Sequence, residues 1–241
     1  MNRTNIDDSP GFRRRFRITP SANFVRAEVE DDYHHMRLTL RHENGVAMDI
    51  QPEIVRAPWT TCPGAIEQLK KTFTGTELSK FAERGEKRMN CTHLHDLATL
   101  SAAHAYDTQV LVYDVLVSDP VEGTRESELR SNGVTQLRLV LKDGQVTEPV
   151  EFAGATVDKL APWIYSLDHT LQEGARVLRW ATMIANGRTI PLNRQSDASR
   201  MPVGNCFTFQ PQVRIAAKRV GEIRDFSRSA SQPLETRRDH V

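Results

Sequence analysis

The strongest constraint on the fold is an alternating pattern on both sides of the turn Glu43-Asn44-Gly45. Every second side chain is apolar before this turn and again after it. A period of two is typical of a strand with one buried face, and Asn-Gly is a strong turn signal. The pattern predicts a β-hairpin whose apolar face carries Met36, Leu38, Leu40, Val46, Met48 and Ile50.

The register of this hairpin follows from keeping its two faces separate. A two-residue Asn-Gly turn sets Leu40 opposite Asp49, which mixes an apolar and an acidic side chain on one face. A three-residue loop with Gly45 in the left-handed conformation sets Leu40 opposite Met48 instead. We therefore expect the three-residue loop and its register.

The expected register places a histidine, an acid and an arginine on the polar face of the hairpin. His35 then lies opposite Glu53, whose carboxylate would orient the imidazole and stabilise its charged form. Because a neutral imidazole takes up a proton near pH 7, His35 is a candidate general base. Arg37 is a candidate for holding a phenolate or carboxylate, unless it pairs with Asp49. A solvent-facing strand surface is the alternative explanation of these residues.

Two candidate helices each begin at a cysteine, Cys62 in TCPGA and Cys91 in NCTHLHD. The positive end of a helix dipole lowers the pKa of a thiol, so both are candidates for substrate contact or nucleophilic attack. The alternative for each is a small buried residue. In the second helix, over about residues 92–106, helical spacing puts His93 on the flank of the buried stripe and His95 on the outer, solvated face. His93 is therefore the second candidate base.

Cys62, Cys91 and His93 also form an alternative ligand set for a zinc ion, because thiolate and imidazole are usual zinc ligands. Zinc sites usually take paired ligands two to four residues apart, whereas these two cysteines are isolated. The sequence also lacks the glycine-rich phosphate loops and the HExxH motif of nucleotide-dependent enzymes and zincins. We therefore expect acid–base chemistry without a metal or other cofactor.

The rest of the chain predicts an α+β domain. Residues 110–117 are nearly all apolar, which is typical of a central strand, and residues 134–150 predict a second hairpin around Asp143-Gly144. The polar segment 119–133 between them is expected to be an exposed loop, either a lid or a simple connection. A long amphipathic helix is expected from Ser166 or Asp168 to Ala185, and a strand around residues 206–215. The fold class is then α+β, with a largely antiparallel sheet built from two hairpins and a central strand and packed by three or four helices.

Composition limits the partners and the compartment. The net charge is +1, with 32 Lys and Arg against 31 Asp and Glu, which speaks against nucleic acid or a membrane surface as the main partner. Three widely spaced cysteines favour a reducing compartment, and no apolar run is long enough to span a bilayer, so a cytoplasmic location is expected. The expected organisation is a flexible tail over residues 1–11, one domain over 12–215 and a polar tail over 216–241. A homodimer is the default for such a protein.

The segments YHHMRLTL, CPGA and CTHL, together with Leu69, Gly75 and the pair Asp96-Leu97, resemble a bacterial family known only as a domain of unknown function. The resemblance covers about the first half of the chain. A glycine usually precedes the cysteine of the CTHL motif in the family, and Asn90 stands there in this sequence.

Members of this family resemble components of bacterial pathways that degrade aromatic compounds. The chain is similar in this setting to the phenylcoumaran γ-formaldehyde lyases of lignin-dimer catabolism, which expel formaldehyde from a phenolic side chain without a redox cofactor. The resemblance implies a lyase in which His35 or His93 removes a proton while Arg37 or Tyr33 stabilises the developing charge. The candidates for contact with the aromatic substrate are Cys62, Cys91, Trp163 and Tyr165.

Two other classes of function remain open at this point. One is a metal-dependent hydrolase or hydratase that uses the Cys62, Cys91 and His93 set. The other is a ligand-binding module without enzymatic activity.

Overall fold

The computed structural model describes residues 5–191 and 194–235. They form two compact units. The first consists of the described parts of Met1–Arg15, Val112–Leu192 and Asp225–Val241, and the second of those of Phe16–Leu111 and Asn193–Arg224. The single domain expected over residues 12–215 stays a prediction, and residues 1–4 and 236–241 of the expected tails lie outside the described residues.

The second unit is built on antiparallel strands covered by two helices. Its strands lie in the order β4-β3-β2-β1, and the β2/β3 and β3/β4 pairs are antiparallel. Helix α1 packs on β4, and helix α2 packs on β2 and β3. The bounds are β1 Gly11–Pro20, of which residues 16–20 lie in this unit, β2 Phe24–Asp31, β3 His35–Glu43, β4 Val46–Arg56, α1 Ala65–Phe73, α2 Thr92–Ala103 and the short α5 Pro211–Arg214.

The hairpin of β3 and β4 is confirmed, but its predicted register is wrong. Asn44 and Gly45 have φ values of 48° and 78°, which makes a two-residue turn rather than a three-residue loop. Leu40 lies opposite Ile50, the register shifts by one residue between Arg41 and His42, and Met48 is exposed. A β-bulge inserts one extra residue into one strand, and it therefore keeps the apolar faces together although the turn is short.

The two cysteine-bearing helix starts are confirmed in position. A single 3-10 turn, Cys62–Gly64, leads into α1, and Gly75, with a φ of 78°, follows its end. Helix α2 follows Cys91 directly. Its buried stripe is the predicted one: Leu94, Leu97, Ala98, Ser101 and, beyond its end, Ala105.

His95 is buried, which corrects the expected solvated position. Its ring lies 5.0 Å from that of Phe73, and the 3-10 helix Leu78–Glu83 packs against α2. Neither ring nitrogen has a hydrogen-bond partner within the described residues. Burial lowers the pKa of His95 to about 4, because a charged imidazole would lose its hydration there.

We expect this histidine to destabilise the protein in mild acid. The unfolded chain takes up the proton near pH 6.5 and the folded protein only near pH 4, so stability falls as the pH drops between these values. The loss amounts to about 3 kcal/mol at 1.36 kcal/mol per pKa unit. Denaturant unfolding of wild type and His95→Leu at pH 7, 5.5 and 4.5 measures it. The variant should show a clearly smaller decrease, and equal decreases in both proteins would contradict this assignment.

The first unit contains an antiparallel meander and two helices. Its strands lie in the order β1-β5-β6-β7-β8, with antiparallel pairs from β5 to β8. The expected central strand, the second hairpin and the long helix are confirmed as β5, as β7 with β8, and as α4. The bounds are β5 Leu111–Ser118, β6 Thr124–Ser131, β7 Val134–Lys142, β8 Gln145–Glu148, α3 Ala161–Ser166 and α4 His169–Ile184. The α+β class is therefore confirmed.

The segment 119–133 is not an open loop, since most of it is strand β6. The strand is hard to recognise because its buried positions include polar side chains. Glu128 is buried, and its charge is paired with Arg130 at 2.6 Å and Arg138 at 2.7 Å. Turns with positive φ at Gly123 and Gly133 delimit the strand. The idea that this segment is a lid is therefore wrong.

The strand expected around residues 206–215 is also wrong. This segment forms a 3-10 turn, Phe207–Phe209, and the short α5. Pro211 occupies the first turn of α5, where its missing N–H is not needed. No helix in the described residues is both long and apolar enough to cross a membrane.

Candidate functional site

A buried carboxylate, Asp31, organises the polar centre of the second unit. It ends β2, at the tight connection to β3, and its side chain has no solvent exposure. Its Oδ1 accepts hydrogen bonds from the backbone N–H groups of Tyr33 and His34, each at 2.8 Å. An aspartate commonly bonds to the backbone two or three residues ahead in this way, which explains the conformation of the turn.

Two imidazoles contact this carboxylate. The Nδ1 atom of His34 lies 3.1 Å from Oδ1 of Asp31, and the Nε2 atom of His93 lies 3.4 Å from Oδ2. The two rings stack with their centroids 3.8 Å apart and their planes 30° from parallel. His93 reaches this position from the first turn of α2. Both imidazoles therefore contact the same buried carboxylate.

The bond from Asp31 selects the tautomer of His34. A carboxylate only accepts hydrogen bonds, so Nδ1 must carry the proton and Nε2 must present its lone pair. Nε2 of His34 makes no hydrogen bond within the described residues, and the side chain is 14% exposed. His34 is thus arranged as a general base whose carboxylate partner is buried behind it.

Arg56 fixes the backbone of this turn. Its guanidinium donates hydrogen bonds to the carbonyl oxygens of Asp31 at 2.6 Å, Asp32 at 2.9 Å and His34 at 3.3 Å. It also lies 3.3 Å from the buried carboxylate of Glu30. Only a forked cation offers several donors at fixed angles, so Arg56 acts as a clamp on the turn that carries the site.

The cysteines are neutral, buried thiols rather than activated ones. Burial raises the pKa of Cys91 far above its usual range and also raises the pKa of Cys62, opposite to the expectation from their helix positions. Cys91 Sγ lies 3.5 Å from the sulfur of Met36 and 4.0 Å from Nδ1 of His93. Cys62 Sγ lies 3.4 Å from the hydroxyl of Thr208. Loss of hydration outweighs the helix dipole here, so neither thiol is a ready nucleophile.

The polar face of the hairpin differs from the predicted one. Arg37, and not His35, lies opposite Glu53, and their side chains are 3.4 Å apart. Arg37 also contacts Glu28 at 2.7 Å, so its charge is already paired. The His35 ring lies 4.0 Å from Glu28 and faces β2. The expected pairing of His35 with Glu53 is therefore wrong, because the register is shifted.

The aromatic candidates are divided between the two units. Tyr33 is buried in the second unit and makes an edge contact with the ring of His34, at 6.1 Å between centroids. Trp163 and Tyr165 lie on α3 of the first unit, where Trp163 is buried and Tyr165 is 72% exposed. Of the sequence-predicted residues, His93, Cys91 and Tyr33 thus lie at or beside the Asp31 centre.

Three residues of the centre, Asp31, His34 and Arg56, are not among the sequence-predicted site residues. The signal for the first two is the run DDYHH before the predicted hairpin, which combines acids and imidazoles. The connection is so short that some of these polar side chains must be buried. Arg56 carries no comparable local signal, since it ends a strand far from this run in the sequence.

Comparison with known families covers this part of the chain. Residues 15–107 match a family model described as Protein of unknown function (DUF2889). The matched segment is less than half of the chain, and it includes Asp31, His34, Arg56, Cys91 and His93. No curated protein matches the chain significantly. The expected resemblance to a domain of unknown function is confirmed over this segment.

Proposed function

We propose that this protein is a cofactor-independent lyase that acts on a phenolic small molecule, such as a lignin-derived aromatic dimer, and releases formaldehyde. The observation that supports acid–base catalysis is the contact of one buried carboxylate, Asp31, with both His34 and His93. The substrate class rests on the family resemblance of the sequence. The geometry favours His34 as the base over His35, because Nδ1 of His34 lies within hydrogen-bond distance of Asp31, at 3.1 Å, whereas Nδ1 of His35 lies 3.9 Å from Glu30.

The proposed reaction needs only proton transfers. Nε2 of His34 removes the proton from a hydroxymethyl group of the substrate, and the O–H electron pair forms the C=O bond of formaldehyde. The carbon–carbon bond breaks, and its electron pair forms a double bond in the remaining skeleton. The new double bond expels a phenolate from the neighbouring carbon. The phenolate oxygen then takes up a proton. Atoms and electrons balance without an oxidant or a reductant.

The neighbouring groups have supporting roles in this proposal. Asp31 stabilises His34 in its charged form after proton uptake. His93 shares the same carboxylate and can return a proton to the phenolate, while the hydroxyl of Tyr33 is the candidate donor to developing negative charge. Arg37 remains a candidate only if a substrate displaces one of its two glutamates, Glu28 or Glu53.

Formaldehyde release from a panel of phenolic dimers tests the proposal. Purified wild type should release formaldehyde in proportion to dimer consumed, and His34→Ala should reduce the rate by a factor of about 10² to 10⁴. His35→Gln separates this assignment from the alternative base, and it should keep most of the activity. His104→Gln is the matched control, because His104 pairs with Asp107 at the end of α2. Saturable binding without turnover would favour a ligand-binding module instead.

We further propose that the protein works in the cytoplasm as a homodimer. Three cysteines that form no disulfide suit a reducing compartment. The dimer rests only on the frequency of twofold symmetry among soluble enzymes. Sedimentation analysis of the purified protein decides this point, since a single monomeric species at micromolar concentration would exclude the dimer.

A further inference from the structure

We infer that Asp31, His34 and His93 form a binding site for a divalent transition-metal ion of the zinc class, and that the bound ion inhibits the lyase. Among the described residues, these three offer ligand atoms that all lie within 4.8 Å of one another. Two imidazoles and one carboxylate are a common set of protein ligands for catalytic zinc and for ferrous iron. The inhibition rests on the proposed function, whereas the binding does not.

The distances fit a single ion. Ligand atoms about 2.0 Å from a tetrahedral zinc ion stand roughly 3.3 Å apart. The two imidazole–carboxylate separations of 3.1 and 3.4 Å are close to this value, although they involve different carboxylate oxygens. Only a small movement of the side chains is then needed to enclose an ion, and solvent can reach the site through the exposed part of His34.

The surroundings of the ligands suit metal binding as well. Ligating imidazoles are usually held through their other nitrogen, and Nδ1 of His93 lies 4.0 Å from Cys91 Sγ. The carboxylate is held by two backbone N–H groups, and the carbonyl groups of the turn are held by Arg56. These contacts fix the Asp31 side chain before an ion arrives, so little ordering is left for the binding step.

Metal binding and base catalysis require opposite tautomers of His34. As the base, His34 carries its proton on Nδ1 and accepts at Nε2. As a ligand, it must give up the Nδ1 proton to present that lone pair to the ion. An ion at this site also occupies the carboxylate that would stabilise the charged imidazole. Bound zinc should therefore inhibit the proposed lyase reaction.

Calorimetric titration of the full chain with Zn²⁺ tests the site. We expect one ion per chain and a weakening on the order of 100-fold or more in His34→Gln and in His93→Gln. His104→Gln and Cys62→Ser should bind as wild type does. Equal affinity in all four variants, or loss of binding in Cys62→Ser alone, would overturn the assignment.

Cobalt keeps the test decisive if the glutamine variants fold poorly. His34→Cys should still bind Co²⁺ and should add a thiolate-to-cobalt absorption band that wild type lacks. Absence of that band in a folded protein would overturn the site. The activity assay separates the two proposals. Zinc binding accompanied by inhibition supports both of them. Binding accompanied by increased activity refutes cofactor-independent catalysis and the inhibition, and inhibition without zinc binding at these residues refutes the site.

Discussion

The substitution Asp31→Asn is expected to reduce the turnover number of the proposed lyase reaction on the order of 10³-fold or more while the protein stays folded. The amide oxygen of Asn can still accept the backbone N–H groups of Tyr33 and His34, so the turn should keep its conformation. The neutral amide cannot stabilise a charged His34. The loss should therefore appear in kcat, with little change in KM.

Steady-state formaldehyde release from wild type and Asp31→Asn measures this loss, with circular dichroism as the check on folding. Asp49→Asn is the matched control, because Asp49 is a carboxylate on β4 that accepts a hydrogen bond from Gln51 and contacts neither imidazole. A folded Asp31→Asn variant with more than a tenth of the wild-type turnover would contradict the role of Asp31.

Replacing Arg56 with methionine is expected to lower the free energy of unfolding by about 3–5 kcal/mol. The change removes the donors to three carbonyl groups of the site turn and one guanidinium partner of the buried Glu30, which also contacts Arg224 at 3.0 Å. A buried carboxylate that loses a partner keeps the cost of its lost hydration. Activity should fall with stability, because the turn that holds Asp31 loses its clamp.

Urea unfolding at pH 7 measures the stability change. Arg56→Lys should recover less than half of it, since one ammonium group cannot reproduce the fork. Arg41→Met, an exposed arginine on β3, should change the stability by less than about 0.5 kcal/mol. A clamp role is contradicted if Arg56→Met is as stable as Arg41→Met.

The hairpin shows how far the sequence determines the fold. Its alternation and the Asn44-Gly45 pair are local signals, and they are sufficient for the two strands and the position of the turn but not for the length of the turn. The bulge between Arg41 and His42 carries no such signal, because it depends on the match of β3 with β4 in three dimensions. Strand β6 is not predicted for a related reason. Its buried Glu128 is polar and is accommodated by ion pairs, which a pattern of apolar residues does not reveal.

The site was predicted in part. Helix periodicity places His93 on the flank of the buried stripe, and Cys91 is a candidate because it begins the same helix. Both lie at or beside the Asp31 centre. His34 is not predicted, because it lies in the connection between β2 and β3, outside the alternating pattern, and meets Asp31 three residues earlier in the chain. The expected thiol activation failed since helix position says nothing about the loss of hydration. Arg56 needed the tertiary structure, because its carbonyl partners lie more than twenty residues away.

The most direct test of the central claim is the protonation of the His34 ring, observed by nitrogen NMR on protein labelled with ¹⁵N. Two-bond correlations from the ring carbon protons distinguish a protonated from an unprotonated nitrogen. At a pH at which the ring is neutral, we predict a protonated Nδ1 and an unprotonated Nε2 in wild type. In Asp31→Asn we predict that this preference is lost. A wild-type His34 with its proton on Nε2 would contradict the claim that Asp31 presents this histidine as a base.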